Sequence, residues 1–195
     1  ILPQLTTLDY SSAKLNSIFN LLKTHQQSIL SSGQMRSIRL EIFGYATKRR
    51  DVEIFAFMQA LSPELCAKFT ILHIPRWWTV NRIYLTGILS RFCSRFTSLQ
   101  AMNILIPAQH SNRLVCHLSH LASLHQLRRL TVRLIFGSSD QSEFIDDQSF
   151  TLPKVKEVNL DITGEYSGVS KNIFSIFAHH FPNMETFVMK TSNSN

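Results

Sequence analysis

Cysteine and histidine residues stand close together at Cys116-His117-x-x-His120, a spacing that could bind zinc. Thiolate and imidazole groups are ligands that zinc prefers, but a structural zinc site needs four of them, and no fourth residue stands in register with these three. His117 and His120 fall opposite the leucines of the same segment, which predicts a solvated helix face and no metal site. His179 and His180 are predicted to end another helix, where cationic side chains suit the helix dipole.

Nucleophilic catalysis would need a serine or cysteine with a base held by a third group. The sequence contains no GxSxG turn, no GxxxxGK[ST] phosphate loop and no HExxH metal motif. These absences predict a protein that is not an enzyme and needs no cofactor.

An Arg-Trp-Trp segment, Arg76-Trp77-Trp78, is the most conspicuous aromatic feature of the sequence. One interpretation is that one indole fills the gap between a strand and its following helix. The other is that Arg76 and the second indole form an exposed anchor for a partner, because Trp and Arg dominate interface hot spots. We predict that one of the two indoles is buried and that the other is exposed.

The elements that would position these residues follow from an internal repeat. A frame of the form Leu-x-x-Leu-x-Val-x-Leu begins at residue 127 and recurs, more or less completely, from residues 5, 35, 66, 99, 155 and 184. The spacings between copies are 28 to 33 residues. The copy at residue 66 is degenerate and retains only Cys66, Phe69 and Ile71.

Within each copy the apolar residues alternate, which predicts a short strand with one buried face. Between copies the apolar spacing becomes that of a helix, as in Ile173, Ile176 and Phe177. A strand, a helix and a further strand at this spacing require parallel pairing with a crossover. The sequence therefore predicts one α/β domain over residues 1–195, a curved solenoid of about seven repeats with a parallel sheet on its concave face and helices on its convex face.

The repeat resembles that of leucine-rich repeat domains, over nearly the whole chain. The phrases Leu152-Pro153-Lys154-Val155 and Phe181-Pro182-Asn183-Met184 resemble the divergent repeats of F-box substrate receptors. The family usually carries Asn or Cys after the strand, where this chain has residues such as Pro107 and Thr163. The resemblance implies a protein-binding scaffold in a ubiquitin ligase subunit, with an F-box outside these residues that would contact the ligase scaffold. The chain is accordingly expected to be a piece of a longer one.

Charge is distributed unevenly along the chain. Residues 1–135 hold 16 basic and 5 acidic residues, residues 136–195 hold 4 and 8, and residues 65–139 hold no acidic residue at all. Residues at equivalent positions of successive strands form a row across the concave face, which we call a ladder, and Lys68 and Arg129 are predicted to lie in the same ladder. The acidic connector at residues 140–147 is predicted to screen the charge of Arg133. The predicted positive surface, which would receive an acidic segment of a protein partner, consists of Arg39, Lys68, Arg128, Arg129 and Arg133.

Several alternatives stay open. The basic residues are also consistent with a solvated surface, or with a surface that binds nucleic acid or anionic phospholipid, although no aromatic stacking row supports that interpretation. The longest apolar runs are far shorter than the roughly 18 residues that cross a bilayer. Three cysteines without CxxC spacing favour a reducing compartment, so the predicted location is cytoplasmic or nuclear.

Overall fold

The computed structural model describes residues 7–12, 15–31, 37–42, 59–73, 91, 93–107, 114–136, 146, 149–164 and 173–192. Each strand begins two or three residues after the first position of a predicted copy. The strands are β1 (Thr7–Ser12), β2 (Ser37–Ile42), β3 (Phe69–His73), β4 (Ala101–Pro107), β5 (Arg129–Phe136), β6 (Glu157–Gly164) and β7 (Thr186–Ser192).

The strands form one sheet whose spatial order is the chain order, β1 to β7, and every neighbouring pair is parallel. Parallel neighbours require a crossover on one side of the sheet, and several crossovers contain helices. The helices whose bounds lie within the described residues are α1 (Leu15–Ser31), α2 (Pro63–Cys66), α3 (Leu114–Ser119) and α4 (Ile173–His180), with a 3₁₀ turn at His120–Ser123 after α3. The predicted parallel α/β class is therefore confirmed. Within the described residues, no helix combines the length and the apolar character needed to cross a bilayer.

The core lies between the sheet and the helices. Alternate residues of β5 and β6 are completely buried there, among them Val132, Leu134, Val158 and Leu160. The side chains between them are partly exposed, so β6 shows strict alternation along its whole length. The alternation predicted for these strands is confirmed.

A similar backbone turn precedes each of the last four strands. The amide of Leu127 donates to the carbonyl of Leu124 at 3.0 Å, and the amide of Val155 donates to the carbonyl of Leu152 at 3.2 Å. Corresponding bonds join Leu99 to Phe96 and Met184 to Phe181. The first residue of each turn is a buried Leu or Phe, which anchors the turn in the core. This geometry explains why an apolar residue stands three positions before the frame begins.

The predicted alignment of the third copy is wrong. Phe69 belongs to the core, where its ring contacts Phe96 edge-on at a centroid distance of 5.2 Å. Ile71, however, pairs with Ala101, which pairs with Arg129, so Ile71 lies in an outward row of the sheet. A register shift between Ile38 and Arg39 of β2 accompanies this change.

The solvated face predicted for α3 is also wrong at His117. Its side chain is only 3% exposed and lies among the buried residues of the helix. His117 follows Leu114 by three residues and precedes Leu121 by four, which places it in the apolar stripe of the helix. Cys116 and His120 are partly exposed, as their position beside this stripe requires.

Cys93 gives a prediction about thiol chemistry. Burial raises the pKa of the Cys93 thiol to about 12. The thiol of Cys93 therefore loses its proton at a lower pH in the unfolded chain than in the folded one. Its contribution to the free energy of unfolding is complete below a pH of about 8.5 and declines as the pH rises towards the folded-state pKa. At pH 8, iodoacetamide is expected to label the partly exposed Cys116 well before Cys93, as measured by peptide mass spectrometry. Equal labelling rates in the folded protein would contradict this burial.

Candidate binding face

The outward side chains of β5, β6 and β7 form a mainly polar surface, which we call the sheet face. In β5 and β6 the alternate residues are buried in the core, and in β7 the alternate residues Phe187 and Met189 pack against it while partly buried. All of the outward side chains are partly or fully exposed. The sheet face consists of Arg129, Thr131, Arg133, Ile135, Glu157, Asn159, Asp161, Thr163, Thr186, Val188, Lys190 and Ser192.

The row of outward side chains that contains Arg129 is buried in β3 and β4. Ile71 of β3 and Ala101 of β4 occupy the same ladder as Arg129, yet their exposed fractions are only 7% and 2%. Neither belongs to the main core cluster. Along this ladder, exposure therefore begins at Arg129 and continues through Glu157 to Thr186.

Charge on the sheet face alternates from strand to strand. Arg129 and Arg133 of β5 stand opposite Glu157 and Asp161 of β6, and Lys190 of β7 stands opposite Asp161. The Nε of Arg133 donates to Oδ2 of Asp161 at 3.2 Å. The charge of Arg133 is thus paired by a carboxylate of the neighbouring strand, which the predicted screening by the acidic connector did not include.

The sequence contained a signal for these two carboxylates. Glu157 and Asp161 follow Arg129 and Arg133 by 28 residues, which is one spacing of the frame. Residues one spacing apart are neighbours across the sheet, so charge has to be compared between copies as well as along the chain.

Arg128 and Arg129 are the exposed cations of the predicted site within the described residues. Neither forms an ion pair with a described carboxylate. Arg128 precedes the strand, and its carbonyl accepts hydrogen bonds from the amides of Lys156 and Glu157 at 2.8 and 3.1 Å. The exposed Lys156 Nζ lies 2.6 Å from Oε1 of Glu185, so the charge of Lys156 is paired.

Other residues of the predicted site are separated from these two. Lys68 does not lie in the ladder of Arg129, because Ile71 occupies the corresponding position of β3. The carbonyl of Lys68 accepts a hydrogen bond from the amide of Ile38. The backbone of Arg39 lies in β2, beside Asp9 of β1. The side chain of Arg39 and the whole of Arg76, Trp77 and Trp78 lie outside the described residues.

A buried histidine fixes part of the acidic connector between β5 and β6. His180 is completely buried at the end of α4, with Nδ1 2.9 Å from the carbonyl oxygen of Phe150 and Nε2 2.9 Å from Oδ1 of Asp146. Its ring stacks on Phe150 at a centroid distance of 4.1 Å. Both ring nitrogens therefore have a polar partner inside the core.

This arrangement bears on two predictions, the helix end at His179 and His180 and the screening of Arg133 by the acidic connector. His180 is a core residue and does not merely meet solvent at a helix end, although His179 is exposed there. Asp146 of the connector bonds to His180, while Arg133 is paired with Asp161. The other connector residues in positions 140–147 lie outside the described residues.

Metal binding has no support in the described part of the chain. No group of three or more His, Cys, Asp or Glu side chains is close enough there to hold an ion. Burial lowers the pKa of His120, which is consistent with a neutral imidazole beside the core.

Comparison with known proteins gave one similar structure. No family model matches the chain, and no curated protein matches it. The similar structure is that of a leucine-rich repeat-containing protein. It is LegL7 from Legionella pneumophila, which has 14% sequence identity to this chain and a TM-score of 0.44. The match covers 87% of this chain and 52% of that one, so this chain spans about half the length of the neighbour.

Proposed function

We propose that the chain is a protein-interaction scaffold without enzymatic activity, built as one leucine-rich repeat solenoid of about seven repeats over residues 1–195. The observation that carries this proposal is a parallel sheet in chain order whose outward face is polar and exposed from β5 to β7. A buried row holds the strands in place, and the outward side chains are free to differ without loss of the fold. Such a surface suits recognition of a protein.

We further propose that the scaffold is the substrate-recognition domain of an F-box-like ubiquitin ligase subunit in the cytoplasm or nucleus. The support is the pair of phrases Leu152-Pro153 and Phe181-Pro182, each of which starts the turn before a strand. The test is affinity purification of the complete natural protein that contains this chain. Co-purification of the ligase adaptor and cullin subunits is expected, and their absence from a folded, expressed bait would contradict this role.

The partner segment is proposed to be acidic and to meet the chain at Arg128 and Arg129. These two cations are exposed and are not neutralised by the described carboxylates. Arg39 and Lys68 extend this proposal towards the first strands, and Arg76, Trp77 and Trp78 are proposed to add an aromatic anchor. A nucleic acid or an anionic phospholipid surface is the second candidate, but Glu157 and Asp161 on the sheet face would repel a polyanion.

Reversal of one charge tests this surface. Arg129→Glu is expected to slow association with the partner several-fold and to flatten its dependence on ionic strength, because exposed charges mainly steer encounter. The measurement is the association rate against salt concentration by surface plasmon resonance, with a ten-residue glutamate-rich peptide as the first probe.

Lys23→Glu provides the matched control, since Lys23 is exposed on α1 and its replacement changes the net charge by the same amount. Equal salt slopes for the wild-type chain and both variants would show that Arg129 belongs to a solvated surface. An equal decrease of the association rate in both variants would show that the rate depends on the net charge of the chain and not on the position of Arg129.

A further inference from the structure

A small apolar notch lies beside the start of β5. Its volume is about 120 Å³, and it is formed between the connection before β5 and the connection before β6. Buried leucines, Leu124 and Leu152, contribute to its lining, while Ala122, Thr151 and Pro153 line it from the two sides. For comparison, an apolar cavity of roughly 150 Å³ holds a benzene molecule. The notch is therefore large enough for one aliphatic side chain.

The lip of the notch is basic. Lys154 lines it, and its Nζ donates to the neutral side-chain amide of Gln126 at 3.3 Å, which leaves the ammonium charge uncompensated. Arg128 is exposed and directly follows Leu127, another lining residue. Among the described residues that line the notch there is no acidic one, and the Glu185 carboxylate is bound by Lys156 at 2.6 Å. The surroundings therefore favour an anion next to the apolar group.

We propose that the notch is a docking site for a protein segment in which an aliphatic side chain stands next to a carboxylate. The aliphatic group enters between Ala122 and Pro153, and the carboxylate meets Lys154 and Arg128. This inference rests on the proposed scaffold function. It specifies a part of the partner that the sheet face does not contact. It combines the features of an interface hot spot, a desolvated apolar anchor beside a charge that gives selectivity.

The experiment is a ¹H–¹⁵N NMR titration of the 195-residue chain with three peptides. The probe is acetyl-Gly-Ser-Leu-Glu-Ser-Gly-amide, and the other two peptides carry Ala in place of Leu or Lys in place of Glu. The probe is expected to shift the amide signals of Ala122, His125 and Thr151. Removal of the Leu side chain is expected to weaken binding about tenfold, because its burial in an apolar pocket is lost. The Lys peptide is expected to bind more weakly still at low salt.

Two variants and one control complete the test. Ala122→Leu should fill the notch and abolish the shifts, and Lys154→Gln should weaken probe binding several-fold while retaining a side chain that can reach Gln126. Lys23→Gln removes an exposed lysine of α1, which belongs neither to the notch nor to the sheet face, and should leave binding unchanged. Folding of each variant is checked from its unperturbed β5 and β6 signals.

The possible outcomes distinguish the notch proposal from the proposed scaffold function. Shifts confined to Thr131 and Asn159 would overturn the notch and leave the sheet face as the binding surface. No shifts with any peptide, or equal binding by the Leu and Ala peptides, would overturn the notch as well, while the scaffold function would still be decided by its own salt-dependence experiment.

Discussion

Replacement of Phe177 with alanine is expected to destabilise the protein by about 3–5 kcal/mol, the typical cost of truncating a buried phenylalanine. Phe177 is completely buried in α4, and its ring lies 5.4 Å from that of Phe181 and 5.3 Å from that of Phe187. The substitution therefore leaves a cavity between the helix, the following turn and the last strand. Urea unfolding followed by circular dichroism measures the loss.

Phe174→Ala is the matched control, because Phe174 lies on the same helix and is 53% exposed. Its ring contacts that of Phe187 on the last strand, at a centroid distance of 5.6 Å. The expected loss is about 1 kcal/mol or less, as for most surface substitutions. Equal effects of the two substitutions would contradict the orientation of α4 on the sheet.

The second large effect is expected at the buried histidine. Asp146→Ala removes the carboxylate that accepts from Nε2 of His180, and the ring is then left in the core with one polar atom unpaired. The expected cost is about 1–3 kcal/mol, which is the usual penalty for a buried hydrogen-bonding group that loses its partner. The measurement is again the free energy of unfolding in urea.

Asp161→Ala is the comparison for this second effect. Asp161 pairs with Arg133, whose side chain is 44% exposed, whereas the His180 side chain is fully buried. The Arg133 guanidinium can be solvated when its partner is removed, so the expected cost is about 0–1 kcal/mol. A larger loss at Asp161 than at Asp146 would contradict the structural role assigned to His180.

The sequence predicted the strands best where burial alternates strictly. The frame at residues 127 and 155 located β5 and β6 to within two residues, because alternation of buried side chains is a local property of a strand. Pairing is not local, and this explains the error at β3. Phe69 and Ile71 look equivalent in the sequence, but the register with Ala101 directs Ile71 outward.

The histidines were misassigned from residue type. His117 and His180 occupy the apolar stripes of their helices, since His180 follows Phe177 by three residues and Ile176 by four. Spacing alone would have placed both residues in the core. The acceptors of His180 could not be derived in the same way, because Asp146 and Phe150 reach it from a different connection, about thirty residues away.

The candidate site was only partly predictable for the same reason. The outward position of Arg129 and Arg133 follows from alternation within β5, while the pairing of Arg133 with Asp161 depends on which strand lies beside β5. Once the parallel order is known, Asp161 explains why the exposed positive charge of the described part of the site lies at Arg128 and Arg129 and not at Arg133.

The central claim is that the sheet face binds a protein partner, and site-specific photo-crosslinking in cells tests it most directly. A benzophenone amino acid replaces Thr131 on β5 of the sheet face or, as a control, the exposed Ala178 on α4. The account predicts discrete crosslinked protein adducts from position 131, none from position 178, and fewer adducts from position 131 when Arg129→Glu is also present. Adducts from position 178 alone, or equal patterns from both positions, would contradict it.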